Sequence, residues 1–362
     1  MNAEIVAASA PDQTSGGWFT GLNLRRRFLL GLAAAGLTSQ SWLEYAVAAE
    51  AYLPQRGENH VGFRKLTVQY TGGDKTVRER DVLMWYPTPA AAKLHSYRGQ
   101  IGFVAPDAEV DAAKHPLVVF SHGYLGSADQ SIFLLEGLAR RGYVVAAITH
   151  ADGLLNKREK PITIPNFANA ASWNEDKFRD RREDVVALLD HLLDENDKSG
   201  SNLHRRIDAA SIGAAGHSLG GYTSLGLIGA WKKSREPRIK AAAVLSPYTL
   251  PYHTQGSIAE VTTPVMMQGG TLDWGITPLI PGVYKKLAGP KYYLVLKNET
   301  HLGWTNLISL GKTTTECVSA GNAELMLAYT AAFFDRHLRA AKECPLLDAQ
   351  HDRLSSYECA VK

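Results

Sequence analysis

Cysteine is scarce: the 362 residues hold three, Cys317, Cys344 and Cys359, all toward the C-terminus. They form no C-x-x-C pair, and no Cys/His cluster has zinc-ligand spacing, so a metal cofactor is not expected. Charge of one sign is also lacking. The net charge is +3 and no basic block is interleaved with aromatic side chains, so nucleic acid is not an expected partner. What is present is an ordinary globular composition, 45% hydrophobic and 21% charged, enough for a sizeable core.

The N-terminus reads as an address. Arg25-Arg26-Arg27 precedes a short apolar run over residues 28–37, and Ala46-Val47-Ala48 follows with the small-x-small pattern of a cleavage site. Paired arginines before x-Phe-Leu resemble a twin-arginine export signal, with Leu24 where Ser or Thr is usual. The apolar run is about half the ~20 residues that span a bilayer. Residues 1–48 are therefore expected to be a removed export signal, with no stable membrane insertion afterwards and a periplasmic or secreted product. In an oxidising compartment the three cysteines allow one disulfide in three possible pairings, or three thiols.

Residues 49–362 are expected to form a single α/β domain. Residues 66–70 and 81–86 read as strands around a Gly72-Gly73 turn. Short apolar strands at 117–120, 143–148, 211–215, 241–245, 264–268 and 291–296 then alternate with helical patterns at 130–140, 177–194, 218–231 and 322–340. Continuous apolar strands separated by helices predict a mostly parallel sheet covered on both faces, with its site at the carboxyl ends of the strands. Residues 151–176 break the alternation and are a candidate lid.

The strand at 211–215 runs into Gly216-His217-Ser218-Leu219-Gly220-Gly221 and then a helix. This is G-x-S-x-G in the strand–turn–helix context of a nucleophile elbow, which makes Ser218 the candidate nucleophile. The flanking residues crowd a strained turn and must lack side chains. A serine hydroxyl needs a base, and the base an orienting acid, in the chain order Ser, acid, His. His301 follows the strand at 291–296 and is the candidate base. Asp273 lies in the loop after the strand at 264–268 and is the candidate acid, with Glu299 as the alternative beside the base. Two backbone donors must hold an oxyanion. Leu219 N–H supplies one. Tyr124 N–H, in Ser121-His122-Gly123-Tyr124-Leu125-Gly126, is the choice for the other, with Leu125 second; His122 is expected to brace this loop. Trp173, Trp274 and Trp304 lie near these residues in sequence and are expected either to line an apolar pocket or to pack in the core.

Ser121-His122-Gly123-Tyr124, the 216–221 elbow, Asp273 and His301 resemble bacterial predicted dienelactone hydrolases related to plasma-type platelet-activating-factor acetylhydrolases. Trp85-Tyr86-Pro87, Arg141-Gly142-Tyr143-Val144-Val145 and Arg182-Glu183-Asp184-Val185 are similar to that group's framework, over roughly residues 60–340. The resemblance implies an α/β-hydrolase fold and a cofactor-free serine hydrolase of small-molecule carboxylic esters. True dienelactone hydrolases carry a cysteine nucleophile where this chain has Ser218. A lipase, thioesterase, amidase or polyester depolymerase would use the same triad, and a non-catalytic binding protein on this fold is the alternative of another class.

Overall fold

The structure is a computed structural model that describes residues 59–154, 166–319 and 321–361. The expected export signal and residues 155–165 of the candidate lid lie outside the described residues. Among the described residues no helix is long and apolar enough to cross a membrane.

Eleven strands form one sheet: β1 (His60–Thr71), β2 (Val77–Thr88), β3 (Lys93–Ser96), β4 (Ile101–Pro106), β5 (His115–Ser121), β6 (Val144–Ile148), β7 (Ile207–His217), β8 (Ile239–Leu245), β9 (Val265–Gly270), β10 (Lys291–Leu296) and β11 (Leu354–Ala360). Their order is β11-β10-β9-β8-β7-β5-β6-β2-β1-β4-β3. The six strands from β6 to β10 in that order are parallel, and β2 and β11 join them antiparallel on either side. This matches the expected parallel sheet. Every residue of β5 and β6 is buried, which is why these strands read as unbroken apolar runs. β3, β4 and β11 were not expected from the sequence. β3 and β11 are short or polar, mostly exposed strands at the two edges of the sheet, and they lack the apolar signal of the centre.

Among the described residues six α-helices complete the layers: α1 (Ile132–Arg140), α2 (Glu175–Asp197), α3 (Leu219–Leu225), α4 (Ile280–Tyr284), α5 (Thr314–Val318) and α6 (Ala323–Leu338). The apolar side chains of α1 and α6 share one core with Trp85, Phe120 and Leu294. Those of α2 and α3 share the other with Tyr86, Val119 and Ile212. Alternate residues of the same strands thus feed opposite cores. α2 begins two residues before the expected 177: Asn174 accepts the Lys177 N–H, and Glu175 and Asp176 sit in the first turn, where the helix dipole favours negative charge. α3 is shorter than expected. Its last turn widens over residues 226–230, and Gly229 leaves the helix at φ 111°.

The loops at the carboxyl ends of β5 and β6 are tied together through a buried ion pair. Arg181 of α2 makes a 2.7 Å bond to Asp152 and a 2.9 Å bond to the His122 carbonyl. Burial alone would raise the Asp152 pKa, but Arg181 beside it holds the carboxyl below its ordinary value. Removing one partner leaves a buried charge uncompensated, at a cost of about 3–5 kcal/mol. Asp152→Ala is expected to lower Tm by roughly 5–10 °C in a thermal melt; an unchanged Tm would show that the pair does not hold these loops.

Candidate active site

Ser218 follows β7 and precedes α3, with φ 54° and ψ −115°. A side chain at Gly216 would overlap the Gly220 carbonyl, and one at Gly220 would overlap the Ser121 carbonyl. The elbow therefore closes only with glycine at both positions. Neighbouring chain fixes the strained residue from both sides. Ser218 N–H donates to the Leu245 carbonyl at 3.0 Å, and the Ser218 carbonyl accepts the Tyr248 N–H at 2.9 Å.

The loops after β9 and β10 bring the expected partners to this serine. His301 Nε2 lies 3.0 Å from Ser218 Oγ, and His301 Nδ1 lies 3.0 Å from Asp273 Oδ2. Nδ1–H donates to the carboxylate, which leaves the Nε2 lone pair for the serine proton. Asp273 is buried and His301 about one-third exposed, as a fixed acid behind an accessible base would be. Burial alone would raise the Asp273 pKa. Hydrogen bonds from His301 and Ser246 outweigh it and hold the carboxyl below its ordinary range. Glu299, the alternative acid, instead bonds the Thr300 N–H and Asn322.

Ser246 was missed in the sequence. It is the first residue after β8, at φ 41°, and its hydroxyl donates to Asp273 Oδ2 while its oxygen lies 2.9 Å from His301 Nδ1. Its position at the carboxyl end of a central strand was the available signal.

The loop after β5 runs beside Ser218. A Cβ on Gly123 would stand 3.3 Å from Ser218 Cβ. Among the described residues, neither the Tyr124 N–H nor the Leu219 N–H meets an acceptor. His122 braces the loop as expected: Nδ1–H donates to the Gly123 carbonyl at 2.6 Å and Nε2 accepts the His150 N–H at 2.9 Å.

An open cavity of about 540 Å³ leads to Ser218 and His301. Tyr124, Leu125, Phe167, Tyr248, Ile276 and Leu307 form its apolar wall. None of the three tryptophans lines it, which corrects the pocket expectation. Trp173 is buried behind Phe167 and Tyr248, with its indole N–H on the Asn166 carbonyl. Trp304 is buried against His217, with its N–H on Gln268. Trp274 is 78% exposed. The loop after β9 turns Asp273 inward, and the next side chain points to solvent. Cys317 and Cys344 are buried, Cys359 is exposed, and no disulfide joins them. Among the described residues no three His, Cys, Asp or Glu side chains gather as a metal-binding group.

A mostly parallel sheet with a serine elbow after a central strand, and an acid and a histidine after later strands, defines an α/β-hydrolase fold. The chain matches the PET hydrolase-like family model over residues 167–339 and the model for platelet-activating factor acetylhydrolase, isoform II, over residues 105–155. It is 29% identical to cutinase est1 of Thermobifida alba over 189 residues, which are 51% of this chain and 52% of that protein. It is 27% identical to the platelet-activating factor acetylhydrolase of Bos taurus, over 45% of this chain and 39% of that protein. The chain spans about half the length, or less, of these curated relatives. A ferulic acid esterase structure from Streptomyces cinnamoneus superposes with a TM-score of 0.62 at 22% identity, covering 84% of this chain and 97% of that one. The expected likeness to acetylhydrolase-type α/β-hydrolases is borne out.

Three buried histidines surround the site. Burial pushes the pKa of His122 and of His217 down to about 3, and that of His150 well below its ordinary value. The folded pKa lies below the unfolded one in each case, so the unfolded chain binds protons that the folded chain does not. Their contribution is present above pH 6.5 and is lost as pH falls below it, toward about 3 for His122 and His217 and by about 1.4 kcal/mol per pH unit for each of those two, with His150 adding a loss in the same direction. Unfolding midpoints in denaturant measured from pH 7 to pH 4 are expected to fall steeply; a flat profile would refute neutral burial of these rings.

Proposed function

We propose that the protein is a serine hydrolase of carboxylic esters that works through an acyl-enzyme. The observation that carries this reading is the Ser218–His301–Asp273 relay at the mouth of an apolar cavity, with two backbone donors that meet no acceptor among the described residues. His301 Nε2 takes the Ser218 proton as Oγ attacks the ester carbonyl. The Tyr124 and Leu219 N–H groups hold the oxyanion, and Asp273 stabilises the imidazolium. The C–O bond to the alcohol breaks, and the alcohol leaves with the proton from His301. Water then gives a proton to His301, attacks the acyl carbon and releases the acid, restoring Ser218. The cutinase and esterase relatives support ester over amide as the substrate.

A polyester chain is the second reading. Tyr124, Leu125, Leu302, Leu307 and Leu310 are exposed around the cavity, an apolar rim suited to a repeating apolar chain. Its support is the likeness to cutinases and to the PET hydrolase-like model. The reading also includes export: residues 1–48 act as the leader, residues 49–362 as one domain, and residues 151–176 as a lid. Phe167 already forms part of the cavity wall.

A fluorophosphonate probe is expected to label wild-type protein at Ser218 and to leave Ser218→Ala unlabelled. Equal labelling of the two, or none of wild type, would point to the binding-protein alternative. On p-nitrophenyl esters of rising chain length, Asp273→Asn is expected to lower kcat about 10⁴-fold; retention of full activity would remove Asp273 from the triad. Clearing of a polyester emulsion separates the two substrate readings.

A further inference from the structure

We propose that Gln130 is a positioning residue that locks the oxyanion loop, the nucleophile elbow and the base into one geometry. This rests on the hydrolase reading and extends it to a residue outside the triad.

Gln130 stands two residues before α1, in the wall of the cavity. Its Oε1 accepts the Gly123 N–H at 2.9 Å, and Gly123 immediately precedes Tyr124. Its Nε2–H donates to His217 Nδ1 at 2.9 Å. His217 is the residue before the nucleophile, and its Nε2–H donates to the His301 carbonyl at 2.8 Å. The Gln130 backbone carbonyl accepts the Asn306 N–H at 2.8 Å, which ties it to the segment after the base. The side chain of one residue thus bonds the loop after β5 and the elbow directly, and the segment that carries His301 is reached through His217 and the Gln130 backbone carbonyl.

The polarity of the chain has a single consistent assignment. Gly123 N–H only donates, so the amide oxygen must face it. The amide nitrogen then faces His217, which must accept at Nδ1 and so carries its proton at Nε2. That proton meets the His301 carbonyl, which only accepts. A protonated His217 would set an N–H against an NH₂ group. Burial, which pushes His217 down to about 3, keeps the ring neutral. The titratable groups that face it are His301, with ring centroids 4.8 Å away, and Asp273.

The function of this chain follows from what it fixes. Gly123 N–H points at Gln130, which fixes the peptide plane next to the one that carries the Tyr124 N–H; the Gly123 carbonyl of that second plane accepts from His122 Nδ1–H at 2.6 Å. The His301 carbonyl is held while its ring works. Loss of one oxyanion donor costs about 10²–10³ in kcat, and a misaimed donor costs part of that.

The experiment compares wild type, Gln130→Met and Gln130→Glu, each normalised to active sites titrated with the fluorophosphonate. Methionine removes both side-chain bonds. Its kcat is expected to fall about 10- to 100-fold with KM within about threefold. Glutamate keeps the acceptor for Gly123 but loses the donor to His217. In that variant His217 must take up a proton to bridge the introduced carboxylate and the His301 carbonyl. Above its ionisation a lone pair faces a carboxylate, so the ratio of variant to wild-type kcat is expected to fall as pH rises from 6 to 9. A merely structural glutamine would lower Tm or the titrated fraction while leaving per-site kcat and this ratio unchanged, and that result overturns the proposal. Should the methionine variant fail to fold, a flat glutamate ratio overturns it alone. Labelled wild type with Gln130→Met at wild-type kcat sinks only this inference; unlabelled wild type sinks the hydrolase reading as well.

Discussion

The site depends on holding a non-glycine residue at φ 54°. A left-handed serine is unfavourable by about 1–2 kcal/mol and persists only where its surroundings over-determine it. Here the Leu245 carbonyl takes its N–H, and the Tyr248 N–H takes its carbonyl. Both partners flank Ser246, whose hydroxyl bonds Asp273. The segment that locks the backbone of Ser218 therefore also steadies Asp273. Gly216 lets α3 close on the end of β7, Gly220 lets it approach the Ser121 carbonyl, and this sets the loop after β5 beside the serine. Elbow, acid and donor loop follow from one tight passage of backbone.

The parts legible in the sequence were those with a local signature. Ser218 carries its glycines with it, and Asp273 and His301 each follow an apolar strand in the required order. The central strands read clearly because burial on both faces makes them continuous. Ser246 and Gln130 were not legible, because their roles arise from contacts across 27 and 87 residues of chain and no local pattern marks them. The tryptophans misled for the converse reason. Nearness in sequence to Asp273 and His301 says nothing of direction: Trp304 turns into the core to satisfy its N–H on Gln268, and Trp274 turns out to solvent.

A second set of the same residue types lies close by. His150 Nε2 is 3.1 Å from Ser121 Oγ, and His150 Nδ1 is 2.7 Å from Asp184 Oδ2. The distances match those of the surface relay, yet the environment differs. All three residues are buried, and the Asp184 carboxylate is shared with Arg80 and Tyr70, each at 2.6 Å. Burial raises the pKa of that carboxyl even with Arg80 beside it, whereas Asp273 is held low. What separates a candidate catalytic set from a brace is a base that solvent and substrate reach. The buried set ends on Ser121 and His122, so it stiffens the loop that carries Tyr124.

The last strand gives the site a different kind of protection. β11 pairs antiparallel with β10, the strand that leads into His301, and covers a ladder of amides that would otherwise face solvent. The outer strand is itself a poor template: it is largely polar and exposes Ser355 and Glu358. Shortening the chain ahead of Leu354 would leave the apolar β10, with Tyr292 and Leu294, as an open edge. Such an edge recruits neighbouring chains, and loss of solubility would then precede any loss of chemistry.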